Sequence, residues 1–471
     1  MSSTDVPNYA PGDISWLLTS TALVLLMVPG ASLFYAGLAR RKSALSLLFL
    51  PIAAACIVFF QWFLWGYSLT FSHTASAFIG DLNNVGFRNV LGEPSVASTT
   101  TPDLLFAIYQ SQFAALTAAL AVGAVAERGR AAPCLLFAFI WSTLVYDPIA
   151  CWTWNPSGWS YKLGGLDFAG GTPVHIASGS ACLAYSFMLG KRRGHGTFEL
   201  NFRPHNTTMV VIGTLFLWVG WFGFNAGSAL SANLRTAMAA TVTNLAAAVG
   251  GVSWCLMDYR LERKFSAVGL CSGIVAGLVA ITPGSGYVPL WTAFIYGVLA
   301  GLICNLATSI KIWIRVDDAL DIFAIHAVGG LLGDLLTGIF ASRTVAALDG
   351  VTNIQGGWVD GHWVQLAIQL ADGATGMAYS FSMSCLILFA ISYIPGMHLR
   401  ATDSDELLGM DECEIGEFAY DFVEIDRDVA SSVEETRAMR RERMRGSMQD
   451  GDYSADDISL RTYAVRPGVK E

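Results

Sequence analysis

Long apolar runs, separated by short polar connections, occupy the first 395 residues of the chain. Eleven of them approach the roughly 20 residues a helix needs to cross a hydrocarbon core of about 30 Å. They span 14–38, 45–71, 104–126, 133–150, 172–190, 208–230, 238–257, 266–282, 290–310, 322–340 and 366–394. The pattern predicts an all-α polytopic membrane protein with eleven transmembrane helices. Alternate connections carry fourteen basic residues (Arg40, Arg41, Lys42; Arg128, Arg130; Lys191, Arg192, Arg193, Arg203; Arg260, Arg263, Lys264; Lys311, Arg315), whereas the intervening ones carry four, Arg88, Lys162, Arg235 and Arg343. Basic loops stay in the cytosol, so the N-terminus is expected outside and the C-terminus inside. An odd span count with related halves suggests a 5+5 inverted repeat plus one extra helix.

Two of these runs break the apolar pattern in the same way. Leu166–Gly190 holds Asp167 and, eight residues on, His175; Asp321–Phe340 again places an acid shortly before a histidine, His326. At about 1.5 Å per residue, eight residues carry His175 roughly 12 Å into the core, and both histidines are expected close to the midplane. A lone histidine on an apolar face is by default a packing residue. Two in inverted-repeat positions, at a depth where ionisable groups are costly, point to function. Asp334, farther along the second segment, is expected to sit in a buried pair. His73, His195, His205, His362 and His398 fall in loops and are expected to be solvated.

Composition adds the class and little else. With 54% hydrophobic residues, 14% charged residues and a mean hydropathy of +0.49, the chain has too little charge to cover a soluble globule of 471 residues. Nine cysteines stand singly, without metal-ligand or disulfide spacing. No metal, cofactor, nucleic-acid partner or enzymatic activity is expected. The start lacks a basic n-region and cleavage site, so the first run reads as a retained span. From Gly396 onward there are nineteen acids against ten basic residues, which accounts for the whole net charge of -9. The reading is a transmembrane domain over 1–395 and a cytosolic regulatory tail over 396–471, largely polar after Tyr420.

Six stretches carry a resemblance: PGASLFYAGL, YQSQFA followed by GAVAER, DFAGGTPVH, GWFGFNAGS, DDALDIFAIHAVGG and GMDECEIGEFAY. In this order, and over nearly the whole chain, they resemble the Amt/Mep/Rh ammonium transporter family, and within it the fungal permeases of Mep type. The resemblance implies uptake of ammonium or methylammonium across the plasma membrane by a multi-pass homotrimer in the lipid bilayer, each subunit with its own pore. It implies an ammonium recruitment site at Trp154 and Ser228 with Asp167 beside it, a phenyl gate of Phe113 and Phe224, and a twin-histidine pair of His175 and His326. Tyr109, Gln110 and Trp221 match positions lining the outer part of the path. Trp152 stands two residues before Trp154, and the interval from Trp154 to Asp167 is one residue longer than the family pattern. Asp167 also has a structural reading, as a cap on the helix that follows.

The implied chemistry is coherent. Ammonium matches dehydrated potassium in size but can donate hydrogen bonds and lose a proton. An aromatic face attracts it by about 0.5–2 kcal/mol, and a serine hydroxyl can accept from it. A narrow apolar lumen rejects ions by desolvation, while imidazoles, both donor and acceptor, can carry the released proton separately. The alternatives are a receptor that binds ammonium and signals without flux, and an Rh-type channel for neutral gas. In the tail, Leu407–Tyr420 matches a family motif expected to dock on Arg40–Lys42 and the loop 191–203. Plant relatives have a phosphorylatable threonine where this chain has Cys413. Ser447, after Arg440, Arg441, Arg443 and Arg445, suits a basophilic protein kinase, and added phosphate of about -1.5 to -2 charge could reposition the tail.

The orientation is testable. Asn206-Thr207-Thr208 is the one sequon not blocked by proline, and it falls on the cytosolic side. The expressed protein should therefore show no mobility shift on endoglycosidase treatment; a shift would overturn the orientation.

Overall fold

The computed structural model describes residues 7–197 and 204–420 together with Ala438. The chain divides into a unit Met1–Glu417 and a unit Phe418–Glu471; Ser447 lies outside the described residues. The first unit is a helical bundle made of α1 (Pro11–Leu38), α2 (Arg41–Phe71), α3 (Asp103–Val125), α4 (Ala131–Leu163), α5 (residues 171–189), α6 (Thr207–Ala226), α7 (Leu234–Glu262), α8 (Ala267–Ile281), α9 (Thr292–Trp313), α10 (Phe323–Phe340) and α11 (Gln365–Ser392). Nine of these are long and apolar enough to cross a membrane; α8 is shorter, at 15 residues, and α5 is almost wholly buried among its neighbours. The protein is a multi-pass membrane protein.

The helices form on the apolar runs because a bilayer leaves backbone N–H and C=O groups no partner except each other. The first turns of α6, α7 and α8, where no intrahelical partner exists, are closed by side chains. Asn206 accepts from Met209 N, Asn233 and Thr236 make a reciprocal capping box, and Ser266 accepts from Gly269 N.

The two histidine helices begin alike. Asp167 accepts the backbone N–H of Gly170, Gly171 and Thr172, each at 2.8 Å, and Asp318 accepts that of Phe323 at 2.9 Å. Each acid stands eight residues before its histidine, so the capping expected of Asp167 has a counterpart in Asp318. Both helices then open with a π-helical turn, Gly171–Ile176 around His175 and Phe323–Val328 around His326. Such turns carry an extra residue and concentrate at functional sites. The helices cross where a Cβ at Gly179 would run into the backbone N of Ala327, so only glycine permits this approach.

The end of the bundle that carries the basic loops is held by a charge network. Glu127 joins Arg40 and Arg192, at 2.9 Å each, and Arg192 also binds Asp317 at 2.8 Å. Arg128, fully buried, donates to the carbonyls of Gly190, Ala126 and Asp317. His195 is exposed as expected of a loop histidine, yet its Nδ1 lies 3.3 Å from Asp317, and His205 is half-buried with Nδ1 2.9 Å from Ala39 O.

The first part of the tail packs on this same end. Lys42 Nζ donates to the Glu406 and Leu407 carbonyls, and Arg193 N donates to the Glu406 carboxylate. Asp411 accepts from Leu45 N and Ser46 N at the start of α2, and Glu414 accepts from Ala131 N and pairs with Arg130 at the start of α4. Lys42 and the loop after α5 were among the expected partners; Arg130 was not, and Arg40 pairs with Glu127.

Asp317 gives this network a pH signature. Burial alone would raise its carboxyl, but hydrogen bonds from the Arg192 guanidinium and backbone, with Arg128 nearby, hold it well below the usual carboxylate range. A depressed folded-state value means stability that is full above the unfolded value of about 3.9 and is lost as pH falls below it. Asp317→Asn should cost about 3–5 kcal/mol at neutral pH, read as a lower melting temperature of the detergent-solubilised protein. The deficit should stay level from about pH 8 to 5 and narrow below about pH 4. A deficit independent of pH would refute the assignment.

Candidate functional site

A cavity of about 690 Å³ opens at the end of the bundle opposite the basic loops, lined by Gln110, Trp154, Asp167, Ser228, Arg235 and Asp349 among others. Trp154 is on its wall, half-buried, with Nε1 donating to Asp167 O at 3.1 Å. Trp152 points elsewhere, packed against Phe78, Trp159 and Tyr379. Ser228 Oγ donates to Phe224 O at 2.8 Å, which leaves its lone pairs to accept from a visiting donor. Gln110 lines the cavity as well, but its Oε1 is buried and has no hydrogen-bond partner among the described residues. The Asp167 carboxylate is committed to backbone N–H groups, so its contribution to the cavity is negative potential rather than direct contact.

Below the cavity the path closes. Phe113, from α3, and Phe224, from a π-helical turn at the end of α6, stack with ring centroids 4.2 Å apart and 21° between planes. Rings in contact leave no room for a molecule between them. Trp154 meets Phe113 edge-on, centroids 5.9 Å apart. Tyr109 is fully buried behind the pair; its hydroxyl donates to the carbonyls of Gly223 and Phe224, at 2.9 and 3.0 Å, and fixes the strand of backbone that carries Phe224. It anchors the backbone beside the stacked pair and is not among the residues lining the cavity.

Under the phenyl pair His175 lies 5.8 Å from Phe224 and its Nδ1 is 3.2 Å from Nδ1 of His326. One ring must donate and the other accept, so the pair holds one shared proton whose side sets the state of each Nε2. His175 Nε2 is buried without a hydrogen-bond partner among the described residues. Trp221 stacks on His175 at 5.3 Å and 18°, its Nε1 donating to Thr282 Oγ1. It lies deeper than the outer position expected from the resemblance. Three residues before Phe224 on the same helix, it falls almost one turn further from the vestibule. With His326, Leu120, Leu217, Ile322 and Ile325 it lines a cavity of about 20 Å³, room for about one water-sized molecule.

Reasoning from sequence missed Asp318, although the repeated eight-residue interval was its signal, and Thr282, which had none. Asp334 is buried as expected and accepts from Thr172 Oγ1 at 2.9 Å; the same hydroxyl lies 2.6 Å from Asp372.

Stacked phenyl rings over an apolar lumen, inside a helical bundle of this kind, define a membrane transport protein. The model of the Ammonium Transporter Family matches residues 15–420. Ammonium transporter 1 of Schizosaccharomyces pombe is 57% identical over 413 residues, 88% of this chain and 83% of that one. The crystal structure of Saccharomyces cerevisiae Mep2 is similar with a TM-score of 0.81 and 47% identity, over 85% of this chain and 92% of that one. Candida albicans Mep2 is similar with a TM-score of 0.81 and 47% identity, over 88% and 91%. The chain belongs to the ammonium transporter family.

The two tryptophans separate in a simple experiment. Trp154→Leu should raise KM for labelled methylammonium about twofold to thirtyfold, the loss of one cation–π contact, with Vmax little changed. Trp152→Leu should lower abundance and leave KM near the parent value. The opposite pattern would move the recruitment site to Trp152.

Proposed function

We propose that this protein takes up ammonium across the plasma membrane by stripping it of a proton at the mouth of the path and conducting ammonia and the proton separately. The cation is drawn into the vestibule by the Trp154 face, the Ser228 oxygen and the negative potential of Asp167. Dehydrating an ion to enter the apolar lumen costs far more than dehydrating neutral ammonia. The ammonium ion therefore divides: ammonia passes the phenyl pair as a ring rotates, and the proton moves along His175 and His326. Potassium cannot divide, and so is refused.

The observation that carries this reading is the 3.2 Å contact between two imidazoles buried next to the phenyl pair. A hydrogen-bonded imidazole pair is a proton wire; a packing role would not need two titratable rings in an apolar bundle. Around it we propose eleven spans in a 5+5 inverted repeat plus one, N-terminus outside and C-terminus in the cytosol. The two histidine helices then approach the midplane from opposite faces. The protein acts as a homotrimer with one path per subunit and is not an enzyme. Residues 1–395 form the transport domain, and the cytosolic tail from 396 is a regulatory segment that a kinase acts on at Ser447.

In reconstituted membranes His175→Ala should abolish or uncouple the ammonium-driven current while the trimer still assembles. His326→Glu should retain part of it, because a carboxylate can still pass a proton. A normal ammonium-selective current in His175→Ala would overturn the proton path. Saturable binding of methylammonium with no uptake by the parent protein would instead favour a sensor.

A further inference from the structure

The vestibule of a path for cations contains a cation. Among the residues lining the cavity are three acids, Asp13, Asp167 and Asp349, and a single basic side chain, Arg235. Arg235 is the second residue of α7, whose N-cap is Asn233. A helix N-terminus already carries about half a positive charge, so an arginine there adds to an unfavourable wall for an approaching cation.

Its surroundings are built to contain that charge. The Arg235 guanidinium carbon lies 4.8 and 4.9 Å from the ring centroids of Phe168 and Tyr287, and Nε donates to Gly286 O at 2.8 Å. One terminal nitrogen donates to Asp349 Oδ2 at 2.9 Å and to Thr352 Oγ1 at 2.8 Å. Asp349 is itself fixed: its Oδ1 accepts from Val351 N and Thr352 N, at 2.8 and 2.7 Å. Burial would raise the Asp349 carboxyl, but the Thr352 hydroxyl, those two backbone N–H groups and Arg235 hold it at about 2, so it is anionic throughout the physiological range. The other acids are engaged as well, Asp167 by three backbone N–H groups and Asp13 by Ala232 N. Three acids against one arginine give the lining a formal charge of -2.

We propose that Asp349 sets the affinity of the vestibule for cations: it masks Arg235 and keeps the wall that ammonium meets negative, while the pair ties the loop after α10 to the head of α7. This rests on the reading of the vestibule as the entrance. The effect runs through field rather than contact, so Asp349 is a positioning and affinity-setting residue, and the charge count predicts how variants rank. Asp349→Asn leaves -1, and Asp349→Asn with Arg235→Gln restores the parental -2 without the ion pair.

The test is labelled-methylammonium uptake by the full-length protein with surface abundance held equal, at low ionic strength and at about 0.15 M salt, where charges beyond about 8 Å are screened. Asp349→Asn should raise KM about threefold to tenfold at low ionic strength with Vmax nearly unchanged, and the difference should shrink with added salt. The double variant should return KM close to the parent's, and Asp349→Glu should keep it. A merely structural clamp predicts the reverse: the double variant no better than the single one, with no dependence on salt. If Asp349→Asn fails to reach the membrane, the other two variants carry the test, with parental KM in both supporting the proposal and a raised KM in the double variant overturning it. Absence of uptake by the parent would refute the entrance reading itself and is distinguishable from all of these.

Discussion

Two imidazoles in contact inside an apolar bundle constrain everything around them. The contact requires α5 and α10 to approach almost backbone to backbone, which Gly179 against Ala327 allows. It requires each helix to start at a fixed height, which the caps by Asp167 and Asp318 supply. It also requires the rings to turn toward each other, and the π-helical turns around His175 and His326 re-aim them by inserting one residue. Trp221 then covers the open face of His175. Each device is local, but none has a purpose without the pair.

On the proposed function, the same arrangement would sort solutes by chemistry instead of size. The vestibule offers acceptors and an aromatic face, which suit a hydrogen-bond-donating cation. The phenyl pair and the small cavity beyond it offer almost none, so a permanent charge gains nothing to offset dehydration. What separates the two environments is the stacked pair, 4.2 Å between centroids, held by a tyrosine that anchors the backbone beneath Phe224. In that proposal, selectivity comes from a sharp change in polarity along a short distance.

Much of this was legible in the chain. Apolar runs located the helices because hydropathy is a sum over many residues and tolerates local error. An acid shortly before a histidine marked the paired segments, and Trp221's depth could have been read from its place three residues before Phe224. Other features were not legible, for a common reason. Glu127, Arg192 and Asp317 meet across 65 and 125 positions, and Arg235 and Asp349 across 114. Such pairs obey no sequence spacing; they depend on which loops the bundle gathers at one end. Resemblance supplied the phenyl pair, whose members would otherwise pass as core aromatics.

The tail poses a mechanical question that its contacts answer in part. Asp411 and Glu414 close the first turns of α2 and α4, each a capping interaction typically worth about 0.5–2 kcal/mol. Neither helix contributes the phenyl pair or the histidines, which come from α3, α5, α6 and α10. Yet α2 packs directly along α3, and α3 carries Phe113. Removing the caps would leave orphan N–H groups at the ends of α2 and α4 and loosen the first turns, and the α2–α3 contact connects that disturbance to the helix that carries Phe113. If the tail regulates the path as proposed, contacts of this kind would do so by setting how firmly the neighbouring helices are held.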